Sequence, residues 1–181
     1  MPIIPFESLP DASRIWIFGS DKAVTGEAAQ RLLGEVDRFL ENWRAHGAPL
    51  RSGRLWKDNR FLVVGVDQSD ANASGCSIDG LFRSLQALER EIGARLVGGG
   101  RVYYRDHSGV AQSADRSELD GLVASGAVGP NTVVFDTSLT DLGEWRAKFE
   151  QPARKTWVAQ LLSGDGRGAG SNGTSPATPS A

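Results

Sequence analysis

The sequence has one cysteine, Cys76, and only two histidines, His46 and His107, among 181 residues. A single thiol cannot form an internal disulfide, and no Cys/His cluster offers four ligands at zinc-site spacing. We therefore expect no disulfide framework and no metal site. A chain of this length can bury roughly 70% of its unfolded surface, so its core needs no such cross-link.

Long apolar runs and an excess of charge of one sign are also missing. No stretch reaches the 18 or more apolar residues of a membrane span, and the first residues lack the basic and apolar regions of a signal peptide. The net charge is −2, whereas nucleic-acid binding needs a basic face that replaces counterions. We expect a soluble, cytoplasmic protein that binds neither membranes nor nucleic acids.

The common cofactor and nucleophile motifs are absent as well. The sequence contains no Gly-x-x-x-x-Gly-Lys-[Ser/Thr] and no Gly-x-Ser-x-Gly, so it predicts neither a P-loop nor a hydrolase elbow. The glycine run 98–100 precedes a predicted strand rather than a helix, which favours a hinge or turn over a phosphate-binding loop. We therefore expect no cofactor. The five tryptophans lie mostly on apolar faces of predicted elements, which favours core packing over a stacking platform: Trp16, Trp43, Trp56, Trp145 and Trp157.

The composition divides the chain into a body and a tail. No large apolar residue occurs in 163–181, so burial cannot offset the entropy of ordering this Gly/Ser/Pro-rich segment, and we predict a disordered tail. Residues 1–162 are predicted to form a single α+β domain. The glycine run divides it into sub-units of about 1–97 and 101–162.

The first sub-unit is predicted to hold a strand, a long helix, a β-hairpin and a second helix. Residues 14–18 are rich in β-branched and aromatic residues, as strands are. Helical spacing of apolar residues begins after Thr25, a candidate N-cap, and Gly47 can end that helix. Residues 54–56 and 60–66 flank Asp58-Asn59, a pair that tolerates the left-handed angles of a tight turn. The second helix follows with Gly93 at its end.

The second sub-unit is predicted to be a smaller hairpin-helix-strand unit followed by C-terminal helices. Short strands at 102–104 and 110–112 flank a turn, Asp115 caps a short helix that Gly126 closes, and 132–135 forms a strand. Residues 139–162 look helical in two pieces broken at Pro152. Because two hairpins interrupt any regular βαβ alternation, the pattern favours an α+β fold.

The polar segment 67–79, called the Cys76 loop below, is the first candidate site, because it runs from the end of a predicted strand into the start of a predicted helix. A thiol at a helix N-terminus tends to have a lowered pKa, which favours the reactive thiolate. The predicted hairpin brings His46 and Cys76 to one end of the sheet, and a Cys–His pair is one route to an activated nucleophile. Cys76 and His46 are the candidate catalytic residues, and the candidate ligand-binding residues are Asp67, Ser74, Gly75, Ser77 and Asp79.

Other interpretations of this loop stay open. A lone cysteine often behaves as a small buried hydrophobe, and the charge of Asp79 would oppose a thiolate nearby. His46 could instead cap the last carbonyls of the long helix. A third interpretation is a ligand-binding loop that uses backbone amides and serine hydroxyls.

Three parts of the chain carry a resemblance that runs over residues 5–162: Pro5-Phe-Glu-Ser-Leu-Pro10 with Ser13-Arg-Ile-Trp16, Trp43-Arg-Ala-His-Gly47, and Ala73-Ser-Gly-Cys-Ser-Ile-Asp79. Together they resemble a small bacterial family of uncharacterised proteins. Its members are sometimes labelled "ABC transporter ATPase", a label that implies a Walker A site, which this sequence lacks. The resemblance implies that the Cys76 loop and His46 form a site, and it supplies no reaction.

The second half also carries a local resemblance. Its residues Tyr103-Tyr104, Gly109, Glu118-Leu119, Leu122, Gly126 and Thr132-Val-Val-Phe135 are similar in order and spacing to a bacterial GYF-like module. Such a module is a hairpin, helix and strand unit associated with binding proline-rich peptides. The family's Gly-Pro pair after the hairpin is replaced here by Gln112-Ser113. The resemblance implies that Tyr103, Tyr104 and Trp145 face a peptide.

Two functions from different classes follow from these patterns. The first is a ligand-binding or thiol-dependent catalytic site at the Cys76 loop. The second is a non-enzymatic interaction module whose GYF-like half binds a peptide, with the tail as a tether. The sequence predicts a small molecule or a peptide as partner, and it does not decide whether the protein is an enzyme.

Overall fold

The computed structural model describes residues 3–45, 48–68 and 75–163. The fold is α+β, as the sequence predicts. The first half contains β1 (Arg14–Gly19), α1 (Gly26–Asn42), β2 (Arg44–Ala45), β3 (Ala48–Pro49), β4 (Ser52–Lys57), β5 (Phe61–Val66) and α2 (Gly75–Ile92). The second contains β6 (Arg101–Arg105), β7 (Ala111–Asp115), α3 (Leu119–Ala124), β8 (Val133–Phe135), α4 (Leu142–Lys148), β9 (Glu150–Pro152) and α5 (Ala159–Leu162). Within the described residues the strands form two larger antiparallel sheets, of order β1-β5-β4 and β7-β6-β8-β9, and a two-stranded ladder of β2 and β3.

The central strand of the first sheet, β5, is buried along its whole length. Because strand side chains alternate between the two faces, β5 contributes to different clusters on its two faces. Leu62, Val64 and Val66 pack in a cluster with the apolar residues of α1 and α2. Val63 packs in another with Phe6, from the chain that precedes β1. The helices α1 and α2 therefore cover one face of this sheet, and the N-terminal arm and α4 pack against the other.

The hairpin between β4 and β5 confirms the predicted turn. Asp58 and Asn59 have φ angles of 54° and 52°, the left-handed pair of a type I′ turn, which matches the twist of antiparallel strands. Ser52 pairs with Val66 at the far end of the hairpin. The residues before β4 and after β5 therefore lie at the same end of the sheet.

The first helix begins as predicted but ends earlier. Its last residue is Asn42, and Trp43 follows as the C-cap in an extended conformation. The indole of Trp43 is buried against Trp16 and Phe39, and the Trp43 carbonyl accepts from the amide of Leu50. The expectation that the helix runs to Gly47 is wrong, because this packing turns the chain into the short ladder of β2 and β3. Gly47 itself lies outside the described residues.

The second half begins as the sequence predicts. β6 and β7 pair across a turn that ends at Gly109. The helical segment that follows starts at Asp115, which forms a reciprocal capping box with Glu118. Gly126, with a φ of 77°, ends α3, because only glycine adopts that angle without strain.

The region 139–162 differs from the two predicted helices. Its α-helices are α4 and α5, residues 150–152 form β9, which pairs with β8, and residues 153–155 form a 3-10 turn. Pro152 therefore lies in a strand rather than in a first helical turn. A proline is tolerated there because β9 is at the edge of its sheet and no further strand needs its missing N–H. From residue 164 onward, the predicted tail lies outside the described residues.

Apolar and polar contacts join the two halves. Phe61 of the first sheet packs in one cluster with Tyr103, Phe135 and Phe149 of the second half. Arg60 is only 4% exposed, and it donates to the carbonyls of Ser20 and Ala111, one in each half. No carboxylate among the described residues forms an ion pair with it, so this guanidinium acts through backbone carbonyls.

Four charged residues border this junction. Arg105 pairs with Asp58 at 3.1 Å and with Glu150 at 2.8 Å, and Lys57 pairs with Glu150 at 2.9 Å. Burial raises the pKa of Asp58, but the hydrogen bond from Arg105 and the charge of Lys57 outweigh it, so that the pKa lies below its ordinary value. The alternating charges therefore hold the turn of the first hairpin against β6 and β9.

Candidate functional site

The Cys76 loop starts at an ion pair between a buried carboxylate and a partly exposed guanidinium. Asp67, directly after β5, is 7% exposed, and its carboxylate lies 3.3 Å from the Arg51 guanidinium. The Asp67 amide also donates to the Arg51 carbonyl, which extends the hairpin ladder by one pair. A buried carboxylate is rare in proteins unless it is paired. Among the predicted ligand-binding residues, Asp67 therefore has a defined position, at the start of the loop directly after β5.

The other residues of this predicted site are only partly described. α2 begins at Gly75, so that Cys76 and Ser77 belong to its first turn, but the side chains of these three residues lie outside what is described. His46 and Ser74 also lie outside the described residues. Asp79 is exposed on α2, and its carbonyl accepts from the Arg83 side chain. The Cys–His pairing thus stays a prediction.

Tyr103 lies at the junction between the two halves rather than on a peptide-binding surface. It is 5% exposed, and its hydroxyl donates to the carbonyl of Gly19 at 2.6 Å. Burial raises the pKa of this phenol to about 12, while the charges of Arg101 and Arg60 lower it by less. The side chain of Tyr103 is therefore not accessible to a partner.

The two other aromatic residues predicted to face a peptide lie elsewhere. Tyr104, next along β6, packs against the cluster beneath α3 and α5. Trp145, on α4, is half-buried and packs against Phe6 and Phe149. The structure does not bring Tyr103, Tyr104 and Trp145 together on one exposed face.

Trp157 is the exposed tryptophan of the described chain, and it is the exception to the core packing expected for most of the five. It is 44% exposed, whereas the other four are buried or half-buried. Its neighbour Val158 is fully buried, and the Thr156 side chain fixes the turn by donating to the Ala153 carbonyl and accepting from the Val158 amide. The Arg116 guanidinium lies 4.4 Å from the centroid of the indole. Trp157 is therefore held in place while much of its surface faces solvent.

At Trp157 the sequence pattern predicts a buried side chain, whereas the structure shows an exposed one. In a continuous helix, Trp157 would share a face with Ala153 and Leu161, four residues to either side, and such a face is predicted to be buried. The chain instead forms a 3-10 turn over Ala153–Lys155, an irregular step and the short helix α5. Helical spacing does not apply to such a stretch, so the ring turns outward.

A groove of about 270 Å³ lies beside Trp157. We call it the Trp157 groove, and its lining residues are Val134, Phe135, Asp136, Lys148, Gln151, Lys155, Thr156 and Trp157. Lys148 forms an ion pair with Glu144 at 2.8 Å, and the hydrogen bond to that carboxylate raises the Lys148 pKa. Asp136 accepts from the amide and the hydroxyl of Ser138. The groove thus combines apolar walls with an exposed indole and two lysines.

Comparisons with known proteins do not assign a function to these sites. No protein family, curated protein or solved structure matches the chain. Among the described helices, none has the length and apolar character that crossing a membrane requires. Within residues 3–45, 48–68 and 75–163, no three His, Cys, Asp or Glu side chains form a group that could hold a metal ion.

Proposed function

We propose that the protein is a non-enzymatic interaction module that binds an extended, proline-containing segment of a partner in the Trp157 groove. The exposed, fixed indole beside this groove is the observation that supports the proposal. Proline-rich segments are preformed in the polyproline II conformation, and grooves lined by aromatic side chains bind them at low entropic cost. We place this interaction in the cytoplasm, as the sequence predicts.

The polar groups of the Trp157 groove support the same class of partner. A polyproline II segment has no internal hydrogen bonds, so its carbonyls are free to accept from a protein. Lys148 and Lys155 lie on the lining of the groove, and no ion pair of Lys155 occurs among the described residues. Their ammonium groups can donate to such carbonyls, while Trp157 and Phe135 contact the proline rings.

Titration of the full-length protein with a polyproline decamer tests this function. We expect the indole N–H resonance of Trp157 to shift in NMR spectra as the decamer binds. Trp157→Ala should abolish the binding, because it removes the main apolar contact of the groove. Val110→Ala is the matched control, since Val110 is 51% exposed and does not line the groove. Binding that Trp157→Ala leaves unchanged would show that the groove is not the site.

A ligand-binding or thiol-dependent site at the Cys76 loop is the second candidate function. The ion pair of the buried Asp67 carboxylate with Arg51, at the start of the loop, favours it. A guanidinium held by a carboxylate at the start of this loop can contact an anionic ligand or a developing oxyanion. Cys76 would then be the nucleophile and His46 its base, with Ser74, Gly75 and Ser77 contacting the ligand.

Alkylation of Cys76 as a function of pH tests the second candidate. We expect a thiolate pKa below the ordinary value of about 8.5, and a return toward that value in His46→Ala. The urea-unfolded protein gives the reference rate of an unperturbed thiol. A Cys76 that reacts only after unfolding belongs to the core, and that result would contradict the candidate.

A further inference from the structure

The Trp157 groove lies close to the point where the described chain ends. Val158 is fully buried, and Leu161 and Leu162 pack against the same cluster, so α5 is anchored beside the groove. The description ends at Ser163, and residues 164–181 follow it. At about 3.3–3.6 Å per extended residue, this length reaches on the order of 60 Å, far more than a return to Trp157 requires.

Residues 164–181 contain two residues with a rigid apolar ring, Pro176 and Pro179. Polyproline II has three residues per turn and a rise of about 3.1 Å per residue. In that conformation, both rings would lie on one face about 9 Å apart. In that conformation, the spacing would give a short apolar stripe to a segment whose other residues are small or polar.

We propose that residues 175–179 bind in the Trp157 groove of the same chain, with the proline rings against Trp157, and thereby compete with the partner segment. This inference rests on the proposed function, because both ligands use one groove. A segment joined to its site by a linker of this length acts at an effective concentration on the order of millimolar. Even weak binding by the tail therefore lowers the apparent affinity for a partner.

The test compares the full-length wild type with Pro176→Ala/Pro179→Ala. We expect the Trp157 indole resonance to differ between the two proteins without any added ligand. We also expect the double variant to bind the polyproline decamer about tenfold more tightly, which is the effect of a millimolar competitor with a dissociation constant of about 0.1 mM. The matched control is Ser171→Ala/Thr174→Ala, which changes the same segment, keeps both prolines and should behave as the wild type.

The outcomes separate this inference from the function on which it rests. Equal decamer binding and identical indole resonances in both proteins would overturn the inference and leave the proposed function standing. Identical resonances with no decamer binding by either protein would overturn both. A difference in the Trp157 indole resonance between the two proteins that disappears on dilution would mean that the tail binds a second copy. That result would contradict the intramolecular contact.

Discussion

Tyr103 connects the two sheets through its phenol group. The ring packs against Phe61 of β5, and the hydroxyl donates to the carbonyl of Gly19 at the end of β1. A buried hydrogen bond of this kind contributes about 1 kcal/mol to stability. Because burial raises the pKa of the phenol, the contribution depends on pH.

We predict that Tyr103→Phe destabilises the protein by about 1 kcal/mol at pH 8, through loss of this hydrogen bond. The pKa of Tyr103 is about 12 when folded and about 10 when unfolded. The folded state therefore favours the neutral phenol, whose contribution is complete below pH 10 and is lost as the pH rises toward 12. At pH 11 the wild type should lose about 1.4 kcal/mol relative to the variant.

Urea unfolding of both proteins at pH 8 and pH 11 measures this difference. All other titrating groups are common to the two proteins, so the change in their difference reports Tyr103. A stability difference that is the same at both pH values would contradict the assigned burial of the phenol.

The β4–β5 hairpin depends on its two-residue turn. Asp58 and Asn59 both have positive φ angles. Glycine adopts such angles freely and asparagine and aspartate tolerate them, whereas other residues are destabilised there by about 1 kcal/mol or more. Asp58 also pairs with Arg105, and the Asn59 carbonyl accepts from the Val24 amide. The turn therefore fixes the hairpin and contacts both halves of the molecule.

We predict that Asn59→Ala destabilises the protein by about 1 kcal/mol, because alanine is strained in the left-handed region. Asn59→Gly should be neutral or stabilising, since glycine adopts this angle freely and Asp-Gly suits a type I′ turn. Both variants keep the backbone carbonyl that Val24 uses, so they are matched. Denaturant midpoints measure the effect, and equal midpoints for the two variants would count against this turn geometry.

Close packing at Gly19 holds the two sheets together. A Cβ atom at this position would lie 2.4 Å from the ring of Tyr103, and the buried ring has no room to move away. Gly34, on the exposed side of α1, has nothing within 4 Å of such an atom. Replacing each of these two glycines by alanine therefore separates steric overlap at the junction from the general effect of removing a glycine.

We predict that Gly19→Ala costs about 2–3 kcal/mol, as overpacking of a well-packed region does. Gly34→Ala should stabilise the protein by about 0.5–1 kcal/mol, because alanine favours the helix. Hydrogen exchange of Gly19→Ala should show faster opening at β6 and the end of β1, where the halves meet. Unchanged protection there would mean that the Tyr103 contact does not hold the halves together.

Local patterns predicted most elements of the fold. Asp58-Asn59, Gly126 and the apolar spacing of α2 each act within a few residues, so their effects can be deduced without the rest of the molecule. Two predictions were wrong where distant residues decided. Burial of Trp43 ended α1 early, and pairing with β8 made a strand of the residues around Pro152.

The candidate sites were harder to predict, because exposure is a property of the whole chain. Tyr103 and Trp157 are both aromatic residues in predicted regular elements, yet one is buried and the other is exposed. Arg60 gives no sign in the sequence that its guanidinium joins two carbonyls from different halves. Only the packing of one sheet against the other distinguishes these residues.

By itself, the sequence determined most of the element types and turns, since backbone propensity and side-chain spacing act locally. It also determined that no residue of 164–181 other than proline carries a rigid apolar ring. The tertiary structure alone decided that Asp67 pairs with Arg51, that Tyr103 hydrogen-bonds across the junction of the two halves, and that a groove lies beside Trp157. The physical reason is that burial and pairing depend on residues far apart in the chain, which only the folded molecule brings into contact.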